Sequence, residues 1–337
     1  MVLKTNDLGE AEVDIVVVTP GGTGEIVAPL LARLTSLGFA VHAHQGALDD
    51  IVASHHWQQA TILVGTGFDC AKAQLDRAPG LRAIIVLTIG HEGVDVDEAT
   101  SRNILVVNGQ TPENYQSMAE ATLLLILAAL YDLDGAQNRL RNGQWHVQGQ
   151  RSRMLKGKTL GIIGYGNIAR SLIKRLQGWE VSTLVHTRRP PAATGYGEQF
   201  VPLETLIAQS DIVVPLASLN STSVHLLDAE RLGRMKPGAI LVNTARGGLI
   251  DERALVPLVR SGRISAIALD VFEAEPLSCD SPLLDLPNAI LTPHDIGHTR
   301  ESSEGMMRTG IDHLVAVSCG TIPAAAINAD ALAEWSL

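Results

Sequence analysis

Cysteine is scarce in this chain. Cys70, Cys279 and Cys319 are odd in number, widely spaced and without a CxxC pair, which argues against a disulfide framework or a zinc site and for reduced, packing residues. Long hydrophobic runs are missing as well. The longest strongly apolar stretch, "ATLLLILAALY" at 121–131, is too short for a bilayer and stops at Asp132, so it reads as a buried helix. The first residues, "MVLKTNDLGEAEVD", hold no apolar segment of the kind a secretory signal needs, and a cytoplasmic location is expected. Positive charge is in deficit: 26 Lys and Arg against 36 Asp and Glu leave a formal charge of -10. That balance repels polyphosphate backbones and anionic lipid, so neither nucleic acid nor membrane is an expected partner. The adjacent His55 and His56 lack partners at ligand spacing, so no metal site is expected. No segment is of low complexity.

What is present is a repeating pattern. A chain of 337 residues, 46% of them hydrophobic, can bury sizeable cores, and its length suits two domains. Apolar, β-branched runs alternate with helix-like stretches, the rhythm of parallel βαβ units, and they do so in two series. The first offers "DIVVVT" (14–19), "AVHA" (40–43), "TILV" (61–64), "AIIVL" (83–87) and "ILVV" (104–107). A hydrophobic helix follows, expected to begin at Ser117 with Glu120 completing a capping box. The second series comprises "TLGII" (159–163), "EVSTLV" (180–185), "DIVVP" (211–215), "AILVN" (239–243), "ISAIAL" (264–269) and "NAIL" (288–291). Six strands suit a dinucleotide-binding sheet. A last helical stretch runs from after Thr299 to near Gly320.

Two glycine-rich loops follow strands. In "VVVTPGGTGE" (16–25) the glycines Gly21, Gly22 and Gly24 lack G-x-G-x-x-G spacing, and a structural turn is the expected reading. "LGIIGYGNIARSL" (160–172) fits better. Gly164 would make the tight turn, Gly166 would let the backbone approach a pyrophosphate, and Ala169 is the small residue for close helix–sheet packing. The helix opening at Asn167 and Ile168 would aim its N–H groups at the phosphates.

About twenty residues further on, a carboxylate normally reads the adenosine ribose. Here the strand tip reads Val185, His186, Thr187, Arg188, Arg189. Guanidinium groups can grip a phosphate through paired hydrogen bonds, and Thr187 can add a hydroxyl, which points to the 2′-phosphate of NADP(H) as the preferred cofactor, with NAD(H) possible. The bland alternative is a solvated loop bearing two surface cations.

Four ionisable residues that could carry chemistry follow later strands. "LVNTARGGLIDERAL" (241–255) leaves Arg246 at a strand end before a helix capped by Asp251. "ALDVFEAEPL" (268–277) brings Asp270 and Glu275, and "ILTPHDIGHT" (290–299) brings His294. Ligands of open α/β sheets sit at that edge. An Arg, an acid and a His suit reduction of a 2-oxo acid: Arg246 would pair with the substrate carboxylate and polarise the carbonyl, and His294 would donate the proton as hydride arrives at carbon. Glu275 would orient the imidazole and raise its pKa. An Arg–Glu pair and a His before a helix are also compatible with purely structural roles.

Taken together, "LKGKTLGIIGYGNIA", "NTARGGLIDE", "LDVFEAEP" and "LTPH" resemble, in order and spacing, the signatures of the D-isomer-specific 2-hydroxyacid dehydrogenase family, with the likeness running from about Leu81 to Thr299. The resemblance implies an α/β fold of two doubly wound parallel-sheet domains. A Rossmann cofactor domain (112–295) would be inserted into a flavodoxin-like substrate domain (1–111 and 296–337). It implies Arg246 as substrate-binding arginine, His294 as acid/base and Glu275 as its carboxylate partner. Asp270 would hold the nicotinamide carboxamide, with Thr244 and His294 also on the cofactor. Main-chain N–H groups of Ile89, Gly90 and His91, in "TIGHEGVD" (88–95), would contact the substrate acid, and Asn114 would lie near the nicotinamide end. Members of the family usually form homodimers through the cofactor domain.

The chain departs from the family pattern at several points. Asp295 stands where an apolar residue is usual, and Ile296 where Ala or Gly is common. Leu216, Ala217 and Ser218 replace His-x-Pro, the segment between Asn108 and Ser117 is one residue longer, and His91 with Glu92 makes the carboxylate loop polar. The expected activity is NADPH-dependent reduction of a 2-oxo acid (glyoxylate, hydroxypyruvate or a bulkier one) to the D-2-hydroxy acid. The alternative is a nucleotide-sensing, corepressor-like binding protein on the same fold. The formate branch carries Gln at position 275 and the phosphite-oxidising branch Lys at position 89, so Glu275 and Ile89 disfavour both.

Overall fold

The structure is a computed structural model that describes residues 13–19, 24–145, 152–193, 195–332 and 334–337. Gly21 and Gly22 of the first glycine-rich loop lie outside the described residues. The chain divides into two compact units, one of Met1–Asn114 with Arg300–Leu337 and one of Tyr115–Thr299.

The first unit is built on a five-stranded sheet of β1 (Asp14–Thr19), β2 (Ala40–Gln45), β3 (Ile62–Gly65), β4 (Ala83–Val86) and β5 (Leu105–Asn108). Its order is β2-β1-β3-β4-β5, with every neighbouring pair parallel. Parallel strands covered on both faces need unbroken apolar runs, and alternate residues of β1 show why: Val16 and Val18 enter one core, Ile15 and Val17 the other.

The second unit holds a seven-stranded, wholly parallel sheet. Its strands are β6 (Thr159–Ile163), β7 (Ser182–His186), β8 (Gln199–Phe200), β9 (Ile212–Pro215), β10 (Ala239–Asn243), β11 (Ile264–Leu269) and β12 (Ala289–Leu291), in the order β12-β11-β10-β9-β6-β7-β8. Strand order reverses between β6 and β9, and such a switch point is where α/β sheets bind ligands. The core again has two faces, Leu241 of β10 packing on one and Ile240 and Val242 on the other.

Two expectations are corrected. The sheet has a seventh strand, the two-residue β8, which is too short to give a pattern of its own and pairs with the edge of β7. The hydrophobic helix starts at Pro112 and runs to Leu130, five residues before the expected cap. Proline suits the first helical position because its missing N–H would have no partner there. Ser117, inside the helix, donates its hydroxyl to the carbonyl of Gly297 at 2.8 Å, and Glu120 accepts from Arg175 at 2.7 Å, so neither acts as a cap. Among the described residues no helix is long and apolar enough to cross a membrane.

Candidate functional site

The turn after β6 has only one possible occupant at its first glycine. Gly164 has φ +108, and a Cβ there would lie 2.6 Å from the carbonyl oxygen of Leu216, the residue following β9 across the switch point. Its N–H donates to the His186 carbonyl at 2.8 Å, tying the turn to the end of β7. Gly166 caps the helix Asn167–Arg175, and nothing lies within 4 Å of where its Cβ would be. The main-chain N–H groups of Asn167 and Ile168 donate to nothing among the described residues, as the first turn of a helix requires. Ala169 is fully buried against the sheet. An open glycine beside unpaired helix N–H groups is an anion cradle, and these residues fit a pyrophosphate.

At the tip of β7, Thr187 is half-buried while Arg188 and Arg189 are exposed. Neither guanidinium makes a hydrogen bond or ion pair among the described residues. Thr244, just past β10, is buried and shares a 2.8 Å hydrogen bond with the Thr122 hydroxyl.

Asp270, at the end of β11, is 1% exposed. Its Oδ1 accepts from the Thr292 hydroxyl at 2.6 Å and from the N–H groups of Asp295 (3.1 Å) and Ile296 (3.3 Å), leaving Oδ2 without a partner among the described residues. Burial raises its pKa, and the three donors and the His294 charge only partly oppose that. A carboxylate so placed can accept from an amide donor.

The turn after β10 delivers Arg246, half-buried, with backbone φ −148 and ψ 138. Asn243 builds that turn: its Nδ2 donates to the Arg246 carbonyl at 2.8 Å and its Oδ1 accepts the Ala245 N–H at 3.0 Å. Gly247 follows because a Cβ there would fall 1.9 Å from the carbonyl carbon of Phe272. This contact locks the Arg246 turn against the segment that carries Glu275. The same segment is fastened to the helix Glu252–Arg260 by a reciprocal pair. The Glu252 N–H donates to Glu273 at 2.8 Å, and the Glu273 N–H donates to Glu252 at 2.7 Å. Asp251 caps that helix by accepting the Ala254 N–H at 3.0 Å.

Glu275 and His294 meet. Oε2 of Glu275 lies 2.7 Å from Nδ1 of His294, and Oε1 accepts the Phe272 N–H at 2.9 Å. His294 has φ +57, a left-handed conformation that turns its ring, and its own N–H reaches the Thr292 carbonyl at 3.0 Å. With Nδ1 paired to the carboxylate, Nε2 is the nitrogen left to exchange a proton.

In the first unit, Thr88 Oγ1 donates to the Gly90 carbonyl at 2.9 Å, and Asn108 Nδ2 to the Ile89 carbonyl at 3.3 Å. The His91 Nδ1 lies 3.3 Å from that same carbonyl. The N–H groups of Ile89, Gly90 and His91 donate to nothing among the described residues. This is a loop with its carbonyls occupied and its donors spare. Asn114 is buried, and its Nδ2 donates to the Ser302 hydroxyl at 3.3 Å.

Three positioning residues escaped the sequence reading. Thr292 donates to Asp270, Asn243 shapes the Arg246 turn, and Gly247 permits the Phe272 approach. All three sit inside the quoted motifs, and the signal that could have found Asn243 and Thr292 was a polar residue directly at a strand end.

A family model described as "D-isomer specific 2-hydroxyacid dehydrogenase, NAD binding domain" matches residues 123–295. Glyoxylate reductase of Thermococcus litoralis is 35% identical over 272 residues, 77% of this chain and 81% of its own. Glyoxylate/hydroxypyruvate reductase B of Serratia proteamaculans is 33% identical over 316 residues, 90% of this chain and 95% of its own. Among solved structures, the NADPH-dependent glyoxylate/hydroxypyruvate reductase of Sinorhizobium meliloti, in complex with NADP and malonate, superposes with a TM-score of 0.84 at 26% identity, covering 95% of this chain and 98% of that one.

Proposed function

The chain belongs to the D-isomer specific 2-hydroxyacid dehydrogenase family, and from that premise we propose that it reduces a small 2-oxo acid to the D-2-hydroxy acid with NADPH as the preferred reductant. Glyoxylate and hydroxypyruvate head the substrate class, since the relatives carry those names. The observation that carries the reading is the His294–Glu275 pair on the same sheet edge as Arg246.

The nucleotide would be held by the Gly164–Ile168 turn at its pyrophosphate, by Thr187, Arg188 and Arg189 at its ribose end, and by Thr244 and Asp270 toward its nicotinamide. When bound, the reduced nicotinamide supplies a hydride. Arg246 pairs with the substrate carboxylate and draws charge toward the carbonyl oxygen. His294 delivers a proton from Nε2 to that oxygen, and Glu275 fixes the ring plane and stabilises the imidazolium that precedes transfer. The net change is one hydride and one proton added across the C=O bond. The spare N–H groups of Ile89, Gly90 and His91 in the first unit have the chemistry to bind a carboxylate.

Leu124, Tyr131, Leu133 and Leu140 are exposed on two successive helices, Pro112–Leu130 and Leu133–Arg141 and the turn between them, which supports a homodimer contact through this face. A panel of 2-oxo acids assayed with NADPH and with NADH, read as loss of nicotinamide absorbance, tests the activity. Turnover of none of them would overturn it.

A further inference from the structure

The buried carboxylate of Glu198 is unconnected with the chemistry just described. It lies 3% exposed, immediately before β8 at the sheet edge. Burying a charge is costly unless donors replace the lost water. Three donors converge on this one: the Tyr165 hydroxyl, the Gly195 N–H at 3.2 Å and the Tyr196 N–H at 2.9 Å. Burial pushes its pKa up, but these hydrogen bonds outweigh that and hold it below the ordinary range, so it is a carboxylate.

The identity of the side-chain donor gives the arrangement its meaning. Tyr165 is the residue between Gly164 and Gly166 of the phosphate turn. Its ring is fixed edge-on to Phe200 of β8 with centroids 5.0 Å apart, and the Arg170 guanidinium lies 5.9 Å above its centre. The Gln177 amide adds a tie by donating to the Tyr196 carbonyl at 3.2 Å. Arg188 and Arg189 sit on the connection between β7 and β8. One end of that connection is held by β7, where Gly164 also donates to His186, and the other is held by Glu198. A single phenol therefore spans from the pyrophosphate turn to the far end of the arginine-bearing connection.

We infer that Tyr165 and Glu198 are positioning residues for cofactor selectivity, bracing the connection so that Arg188 and Arg189 are presented to the 2′-phosphate of NADP. The inference rests on the NADP reading above. A phosphate gripped by two guanidinium groups needs both held in place before it arrives, because ordering a free loop on binding subtracts from affinity.

The test is calorimetric binding of two unreactive ligands, ADP-ribose and 2′-phospho-ADP-ribose, to the full chain. Tyr165→Phe keeps the ring and its packing but removes the hydroxyl. It should weaken 2′-phospho-ADP-ribose about tenfold, the weight of one hydrogen bond to a charged group, and ADP-ribose less than about twofold. Glu198→Gln, which keeps the volume and replaces one acceptor oxygen by an NH2, should shift the ratio the same way. In an Arg188→Ala/Arg189→Ala background, Tyr165→Phe should leave the ratio where the double variant already put it. Equal weakening of both ligands would make the pair merely structural and overturn the inference, as would an unchanged ratio in a protein that does discriminate. If the wild-type protein binds the two ligands equally, the NADP reading itself fails, and the inference with it.

Discussion

Nδ1 of His294 stands 2.7 Å from Oε2 of Glu275, while the other oxygen of that carboxylate holds the Phe272 N–H at 2.9 Å. The acid is fixed at both oxygens, so it orients the imidazole rather than following it. The left-handed backbone at His294, φ +57, is part of the placement, a conformation that histidine adopts more readily than most non-glycine residues.

His294→Ala should therefore lower kcat by about 10²–10⁴-fold, the range for loss of a positioned general acid. NADPH affinity, measured by fluorescence titration, should change little. A matching loss of nucleotide binding would assign His294 a structural role.

Arg246→Lys tests the carboxylate grip. A guanidinium presents two parallel donors to a carboxylate and an ammonium cannot, so the substitution should cut kcat/KM for the 2-oxo acid by about ten- to a hundredfold while the charge is conserved. Steady-state kinetics with glyoxylate decide it: unaltered kcat/KM removes Arg246 from the mechanism.

Much of this arrangement is legible in the sequence. Strands such as "AILVN" and "ISAIAL" announce themselves because a parallel sheet buried on both faces tolerates only apolar runs, and their ends coincide with β10 and β11. Position at a strand's carboxyl end was enough to bring Arg246, Asp270 and His294 to one edge. What the sequence concealed are contacts between distant side chains. Tyr165 and Glu198 are 33 positions apart, and no local pattern couples them. The helix starts earlier than the local capping pattern of Ser117 and Glu120 suggests, because Ser117 does not accept a main-chain N–H as a cap would but donates its hydroxyl to the carbonyl of Gly297, 180 residues away. Strand β8 gave no signal at two residues long.

Arg188→Ala and Arg189→Ala should each lower the ratio of kcat/KM for NADPH over NADH by about tenfold, chiefly through the NADPH KM, since charge-assisted hydrogen bonds to the 2′-phosphate are what they would lose. Both side chains are exposed and make no ion pair among the described residues, so folding should be untouched, as circular dichroism can verify. A ratio that stays put in both variants, or a wild type that favours NADH, refutes the assignment of this loop.

The three cysteines should separate by reactivity. Burial pushes the Cys70 thiol up to about 12, with only partial opposition from the Arg102 charge, so at pH 8 it has almost no thiolate. Cys279 and Cys319 are exposed. Titration of the native protein with an aromatic disulfide reagent should release the chromophore from two thiols quickly, the third reacting only after denaturant is added. Three fast thiols would mean that Cys70 is reached by solvent.

Acid should weaken the first unit through Glu113. The Thr111 hydroxyl, its own main-chain N–H and Arg308 pull this carboxyl from 4.5 down to about 2. The folded state thus prefers the charged form more strongly than the unfolded chain does. The stability it contributes is complete above pH 4.5 and is lost progressively as pH falls toward 2. Because Glu113 opens the helix Pro112–Leu130 and Arg308 lies in the helix Arg300–Ser318, the loss should be felt where the two segments that make up the first unit meet. Both side chains are partly solvated, which keeps the contribution small. Urea midpoints measured from pH 6 to pH 2 should fall less steeply in Glu113→Gln than in the wild type, and the two curves should converge at the acid end. Curves that run parallel across the whole range would show that this carboxylate carries none of the acid sensitivity.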